Sequence, residues 1–249
     1  MGNPGWWMKM LVFKIETRLF QDLFKGIPVL DEFCIVIAEG GCLKVFTKNL
    51  ESTVAVLGSI KGGMFDYLVS NNISFAVNLV KVKRFLKVVD HSYPLIAELN
   101  EDRFFISLRC GPLSREIKCL YPDNVELEPI LFPEMGRLVW LTGQKEFYLI
   151  TQGLEQADYR SSVILENEKI IFRARSPTDM FTFTSEHGIG TPENFTVNIM
   201  TRDLASIVDH IAPGHQCNLS IRENSPLMLE NVIRSKCNIL YLIAHELTE

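Results

Sequence analysis

The chain has 249 residues, of which 47% are apolar and 22% charged, so it is expected to be a soluble globular protein with sizeable cores. No apolar run approaches the roughly 18 residues of a membrane-spanning helix, and the opening MGNPGWW lacks the basic start and apolar stretch of a signal peptide. The net charge of −5 by itself argues against nucleic-acid binding.

The first half alternates predicted strands with two predicted helices. KMLVFKI, EFCIVIAEG, STVAVLGSI and FAVNL have the composition of strands, and LIAELNEDRFFISL alternates in the manner of two more. Apolar residues at helical spacing mark the two helices: Leu19, Phe20, Leu23 and Phe24, then Val82, Phe85, Leu86 and Val89.

The second half has the same order of elements. GRLVWLTG, SSVILENEKIIFRAR, MFTFTSEHG, FTVNI and CNLSIRENSPLMLEN are predicted strands. Its helical stripes are Phe147, Ile150 and Leu154, then Leu204, Ile207, Val208 and Ile211.

A repeated phrase joins the two halves. FAVNL begins at Phe75 and FTVNI at Phe195, and each precedes a helix, an Asp-His pair and further strands. This pattern predicts an α+β protein of two similar domains, each with roughly eight strands and two helices. The predicted boundaries are residues 9–120 and 135–249, joined by an extended, proline-containing and acidic connector over residues 121–134.

Positive charge is concentrated on the helices of the first half. KVKRFLK, from Lys81, carries four basic residues and no acid, and helical spacing places Lys83, Arg84 and Lys87 away from the apolar stripe. A solvated helix surface is the simpler interpretation, but the acidic connector indicates two electrostatically separate surfaces. The helices of the second half are poor in base.

Other conspicuous residues favour structural roles. Asp90-His91 and Asp209-His210 are expected at helix C-termini, where the dipole favours histidine by about 0.3–1 kcal/mol. His215 and Cys217 are too few ligands for zinc. Six cysteines without a CxxC pair favour reduced, intracellular thiols. We therefore expect no catalytic constellation, no metal and no cofactor, and do not expect an enzyme.

From about Lys9 onwards the chain resembles the PCNA family of DNA sliding clamps. The resemblance rests on VNL entering KRFLK, on MFDY, on the connector VELEPILFPE, on CNLSIRENSPLMLE and on the terminal YLIAHELTE. It implies the DNA-clamp fold, with antiparallel sheets outside and four helices inside that begin near Thr17, Val80, Gly143 and Thr201.

Three such subunits close head to tail into a ring that encircles duplex DNA without reading its sequence and acts as a processivity factor in replication and repair. By position, the strand Leu113 to Leu120 would pair with Thr178 to Thr184 of a neighbour. The implied interface residues are Arg115, Ile117, Cys119, Met180, Phe181 and Phe183. The implied DNA-binding residues are Arg18, Lys25, Lys81, Lys83, Arg84, Lys87, Lys145 and Arg202.

The resemblance also implies partners besides DNA: other clamp subunits, a clamp loader, and DNA polymerase, flap endonuclease and DNA ligase, which bind through PIP-box peptides. The peptide pocket would use Val54, Val56, Ile130, Phe132, Pro226, Leu242 and Ala244. His245 stands where the family usually has proline, which bears on the shape of the pocket.

Several alternatives stay open at this point. The weakly basic second half fits either one subunit of a heterotrimer, as in some archaea, or a divergent clamp with weaker DNA contact. A checkpoint-type clamp for damage signalling would share the fold, and an unrelated enzyme or carbohydrate-binding protein on a duplicated α+β scaffold would not form a ring. A clamp would be cytoplasmic and nucleoid-associated in an archaeon and nuclear in a eukaryote.

Overall fold

The computed structural model describes residues 9–70, 72–100, 104–125, 127, 138–167, 169–185, 194–211, 216–221 and 225–246. The described helices are α1 (Thr17–Gly26), α2 (Leu79–Leu86), α3 (Gln144–Ala157) and α4 (Thr201–Val208). Each begins within one residue of its expected position, and their order among the strands confirms an α+β fold.

Strands make up most of the described chain. The first half contains β1 (Lys9–Ile15), β2 (Phe33–Glu39), β3 (Cys42–Lys48), β4 (Val54–Ile60), β5 (Phe65–Ser70), β6 (Ile73–Asn78), β7 (Leu95–Asn100), β8 (Phe105–Cys110) and β9 (Leu113–Leu120). The second half contains β10 (Leu138–Gly143), β11 (Arg160–Glu166), β12 (Lys169–Arg175), β13 (Met180–Ser185), β14 (Phe195–Met200), β15 (Gln216–Ser220), β16 (Leu227–Ile233) and β17 (Cys237–Ile243).

The chain divides into two compact units whose limits differ from the predicted domains in two short segments. The first unit comprises Met1–Thr47, Leu57–Pro129 and Arg234–Cys237, and the second comprises Lys48–Val56, Ile130–Ile233 and Asn238–Glu249. The start of β4 therefore belongs to the second unit, and the turn between β16 and β17 belongs to the first.

In the first unit, an antiparallel sheet in the order β3-β2-β6-β9-β8-β7-β1-β5 carries helices α1 and α2. All eight predicted apolar positions of these helices are buried, as the helical spacing requires. Gly58 of β4 lets α1 approach, since a Cβ there would lie 2.5 Å from Leu23 Cδ1. Asn78 ends β6 and caps α2, its Oδ1 accepting from Lys81 N at 2.9 Å.

The second unit contains two sheets, in the orders β10-β15-β16-β17 and β13-β12-β11-β14. The predicted stripes of α3 and α4 are buried throughout. Gly153 of α3 sits against the Phe181 ring of β13, where a Cβ would lie only 2.2 Å from Phe181 Cε2. A glycine costs helix stability, so its place here follows from this close approach.

The structural repeat is real, but the two five-letter phrases are not equivalent in it. Asn78 directly precedes α2, whereas Asn198 lies three residues before α4 and accepts from Ser162 Oγ at 2.8 Å. The residue that corresponds to Asn78 is Met200, which makes no side-chain cap. Because side chains alternate between the two faces of a strand, a displacement of two residues leaves corresponding side chains on the same face.

Candidate nucleic-acid and partner interfaces

Helices α1 and α2 lie side by side and expose a basic surface. Gln21 Nε2 of α1 donates to Leu86 O of α2, which joins the two helices. The side chains turned to solvent include five of the eight predicted DNA contacts: Arg18, Lys25, Lys81, Arg84 and Lys87. Asp22 is the one acidic residue within α1 and α2, so the exposed surface of the pair is predominantly cationic.

Lys83 differs from this group, and its predicted solvent-facing position is only partly correct. Its side chain is half-buried, and Nζ donates to Ile27 O just beyond the end of α1. Burial lowers the pKa of Lys83 to about 8, against a raising effect of the Cys34 thiol and a lowering effect of Lys87. Lys83 therefore ties α2 to the end of α1, and its contact with DNA stays a prediction.

Replacing Lys83 by methionine tests this assignment, because methionine keeps the apolar stem and removes the ammonium group. The folded-state pKa of Lys83 lies below its usual value, so between about pH 8 and pH 10.5 the unfolded chain binds more protons and stability rises with pH. We expect this group to contribute a rise of about 1–2 kcal/mol, allowing for solvent screening, in denaturant unfolding of the wild type.

The Lys83→Met variant should lack that contribution, and Lys87→Met, which alters an exposed neighbour, should keep it. An equal rise in Lys83→Met and in the wild type would contradict the assignment.

Helices α3 and α4 present a weaker positive surface, as their sequence predicts. Lys145 is exposed beside Glu146, and Arg202 is held by Glu51 at 2.5 Å from its Nη2. Asp203 is buried, which raises the pKa of its carboxyl group, while a hydrogen bond from Thr53 acts in the opposite direction. The exposed surface of α3 also includes Tyr148 and Leu149 rather than further bases.

The two strands predicted to join neighbouring subunits each have an edge on which the described part of the chain places no strand. β13 is the last strand of its sheet and pairs only with β12. β9 pairs with β8 from Leu113 to Lys118, while β6 reaches only Cys119 and Leu120. The open edge of β9 therefore runs over residues 113–118.

The side chains of two predicted interface residues are buried, and their part in a subunit contact stays a prediction. Ile117 and Cys119 are 2% and 1% exposed, so they belong to the core of their own unit, and Cys119 lies where β9 is already flanked on both sides. Alternation instead exposes Ser114, Glu116 and Lys118. On β13 Met180 is exposed, and Phe181 and Phe183 are half-buried.

Five of the seven predicted pocket residues are described, all within the second unit; Ile130 and Phe132 lie outside the described residues. Val54, Val56 and Leu242 are buried, whereas Pro226 and Ala244 are half-buried. The end of the chain adds to this region, because Ala244 N donates to Thr53 O at 2.7 Å.

The segment after Ala244 is fixed as well. Glu246 N donates to Asn198 O at 2.8 Å, and the Glu246 carboxylate pairs with Arg160 at 2.8 Å. Ala244, a residue of the predicted pocket, is therefore held in place by its own backbone hydrogen bond and by those of the segment that follows it. His245, which stands where the PCNA family usually has proline, has a buried Nδ1 atom with no hydrogen-bond partner among the described residues.

The Asp-His pairs occupy turns after the helices. α2 ends at Leu86, and Asp90 Oδ1 accepts from Ser92 N at 2.9 Å, so this pair lies beyond the helix end and its predicted capping role is wrong. Asp209 is the C-cap residue of α4, and His210 N donates to Ile207 O at 2.9 Å.

Among the residues that the structure describes, no group of three or more His, Cys, Asp or Glu side chains could hold a metal ion; His215 lies outside these residues. Within the same residues, none of the helices combines the length and the apolar character needed to cross a membrane.

Comparison with known proteins finds similarity at the level of structure. No protein-family model and no curated protein matches the sequence. A. fulgidus PCNA, solved with the C-terminal region of FEN-1, superposes with a TM-score of 0.82 at 13% identity, covering 96% of this chain and 100% of that one. PCNA from Entamoeba histolytica gives 0.82 at 15% identity with the same coverage. PCNA from Thermococcus kodakaraensis gives 0.78 at 12% identity, covering 95% and 100%. The chain therefore has the fold of the PCNA sliding clamps over nearly its whole length.

Proposed function

We propose that this chain is a subunit of a DNA sliding clamp, which encircles duplex DNA and tethers other proteins to it. The observation that carries the proposal is the match of the chain to the full length of several PCNA structures. Five exposed basic side chains on α1 and α2 support it. The function is one of binding and topology, and it requires no catalytic residue.

Electrostatics explains why such a surface suits a sliding protein. Duplex DNA carries a negative charge about every 1.7 Å along its axis, and contacts with phosphates carry no base information. Arg84 and Lys87 on a helix surface offer such contacts at every position of the duplex. Because a closed ring keeps its DNA by topology, a few moderate contacts per subunit are sufficient.

The ring itself would form through the open edges of β9 and β13. A strand edge without a partner is prone to pairing with another chain, and β13 carries no charged side chain from Met180 to Ser185 that would prevent it. Pairing β9 of one subunit with β13 of the next is a head-to-tail contact, which gives a closed ring when the rotation closes. Because α3 and α4 contribute little positive charge, the ring would gain from more basic sister subunits.

Partner proteins would bind by a short apolar peptide near Pro226 and Ala244. These half-buried residues belong to the second unit, as do buried Leu242 and Val54. The structure of A. fulgidus PCNA with the C-terminal region of FEN-1 supports peptide binding in this fold. By the same reasoning polymerase and ligase are candidate partners, and a clamp loader would place the ring on DNA.

Solution mass tests the proposal. Sedimentation should give about three protomer masses, either for the protein alone or after mixing with other clamp-fold chains from the same genome, and particle images should show rings. A monomer in every mixture would exclude the clamp and favour an unrelated binding protein or enzyme.

A further inference from the structure

The turn between β16 and β17 adopts an unfavourable backbone conformation with two residues that are not glycine. Arg234 has φ +53° and Ser235 has φ +55°, in the left-handed region that favours glycine or asparagine. Each such residue costs on the order of 1 kcal/mol relative to glycine. Glycine would therefore fit the turn at residue 234 with less strain, so the turn itself does not account for an arginine there.

That guanidinium group contacts two acids of α1. Its Nη1 lies 3.6 Å from Glu16 Oε1, and its Nη2 lies 3.2 Å from Asp22 Oδ2. The same acid acts on the end of the turn, where burial and then the charge of Asp22 raise the pKa of the Cys237 thiol to about 12. Partly exposed ion pairs contribute about 0–1 kcal/mol to stability, which does not account for a strained turn.

The two acids interrupt the basic stripe of α1. Asp22 is four residues after Arg18 and three before Lys25, so all three side chains share one face of the helix. Glu16 directly precedes the helix. Without Arg234, α1 and its cap residue would carry as many acids as bases, and a phosphate backbone would meet no net positive charge there.

We propose that Arg234 is a positioning residue of the DNA-contacting surface, which neutralises Glu16 and Asp22 so that α1 adds to the positive surface of α2. Lys236, exposed in the same turn, extends the basic surface. The proposal rests on the proposed clamp function, and the partner is the phosphate backbone of a duplex. Arg234 acts through the carboxylates and not by reading bases.

The test uses binding of the whole protein to a short labelled linear duplex, which threads a ring without a loader. Arg234→Gly removes the charge and relieves the positive φ, so it should fold at least as stably as the wild type, with affinity for DNA weakened about three- to tenfold at low salt. The difference should shrink at high salt because exposed charges are screened. Ser235→Gly, which relieves the neighbouring φ without changing charge, is the matched control and should bind as the wild type does.

A second substitution distinguishes neutralisation of the acids by Arg234 from a direct contact of Arg234 with DNA. Adding Asp22→Asn to Arg234→Gly restores the net charge of the region, and affinity should return to within about twofold of the wild type. Equal binding by Arg234→Gly and wild type, or no recovery in the double variant, would overturn the inference. If the wild type binds no duplex even at low salt, the DNA-contacting surface on α1 and α2 fails and this inference with it, whereas the clamp function is tested separately by the mass of the assembly.

Discussion

Reversing Arg84 and Lys87 to glutamate is expected to weaken binding of duplex DNA by about 10²-fold at moderate salt, since each reversal replaces a phosphate contact by a repulsion. Both side chains are exposed on α2, outside the buried stripe, so the fold and the mass of the assembly should not change. Fluorescence anisotropy over a range of salt concentrations should show a slope of log K against log[salt] that is shallower by about 2 per subunit.

A pair of lysines outside the helices provides the control for this reversal. Lys61 precedes β5, and Lys169 begins β12; both are exposed. The same double change to glutamate there alters the net charge equally, and we expect at most a small effect. Wild-type binding by the Arg84/Lys87 variant, or an equal loss in the control, would remove α2 from the DNA surface.

Placing aspartate at Met180 and Thr182 is expected to separate the assembly into protomers. Both side chains are exposed on β13, beside the edge proposed to pair with a neighbour. A carboxylate buried there without a partner costs about 3–5 kcal/mol, which corresponds to about 10²- to 10⁴-fold weaker association. Since the pairing of β13 with β12 stays intact, thermal stability of the protomer should change little.

Thr196→Asp is the matched control for this prediction. Thr196 is exposed on β14, at the opposite edge of the same sheet from β13. The edge of β14 is partly occupied, because Glu246 N donates a hydrogen bond to Asn198 O there. Sedimentation should show ring mass for this control and protomer mass for the β13 variant. If the β13 variant keeps the full mass, the subunit contact lies elsewhere.

Most of the fold was predictable because it depends on local periodicity. The apolar stripes of the four helices, such as Phe147, Ile150 and Leu154, are all buried, because burial of one face is what fixes a helix in a core. The edge strand β9 was also predicted with its observed limits, Leu113 to Leu120. In each case residues close in sequence determine the outcome.

The structure differs from the sequence-based predictions where contacts between residues far apart in the sequence determine the conformation. The phrases FAVNL and FTVNI look equivalent in sequence, yet the structurally equivalent residues are displaced by two positions. Asn198 accepts a hydrogen bond from Ser162 and does not cap a helix as Asn78 does. The spacing of Lys83 predicted a solvent-facing side chain, but its ammonium group donates a hydrogen bond to the carbonyl of Ile27 and the side chain is half-buried. Arg234 could not be found from sequence, since its acids lie on the first helix and no local pattern links them.

The most direct test of the central claim is retention on DNA of different topology. The protein is loaded on a nicked circular plasmid by the clamp loader of the same cells and washed at high salt, which cancels phosphate contacts but leaves a closed ring in place. The plasmid is then cut once, and the bound protein is measured before and after the cut. An encircling clamp survives the wash and leaves after the cut. Loss from the intact circle at high salt, or retention on the cut plasmid, would show that the protein does not encircle DNA.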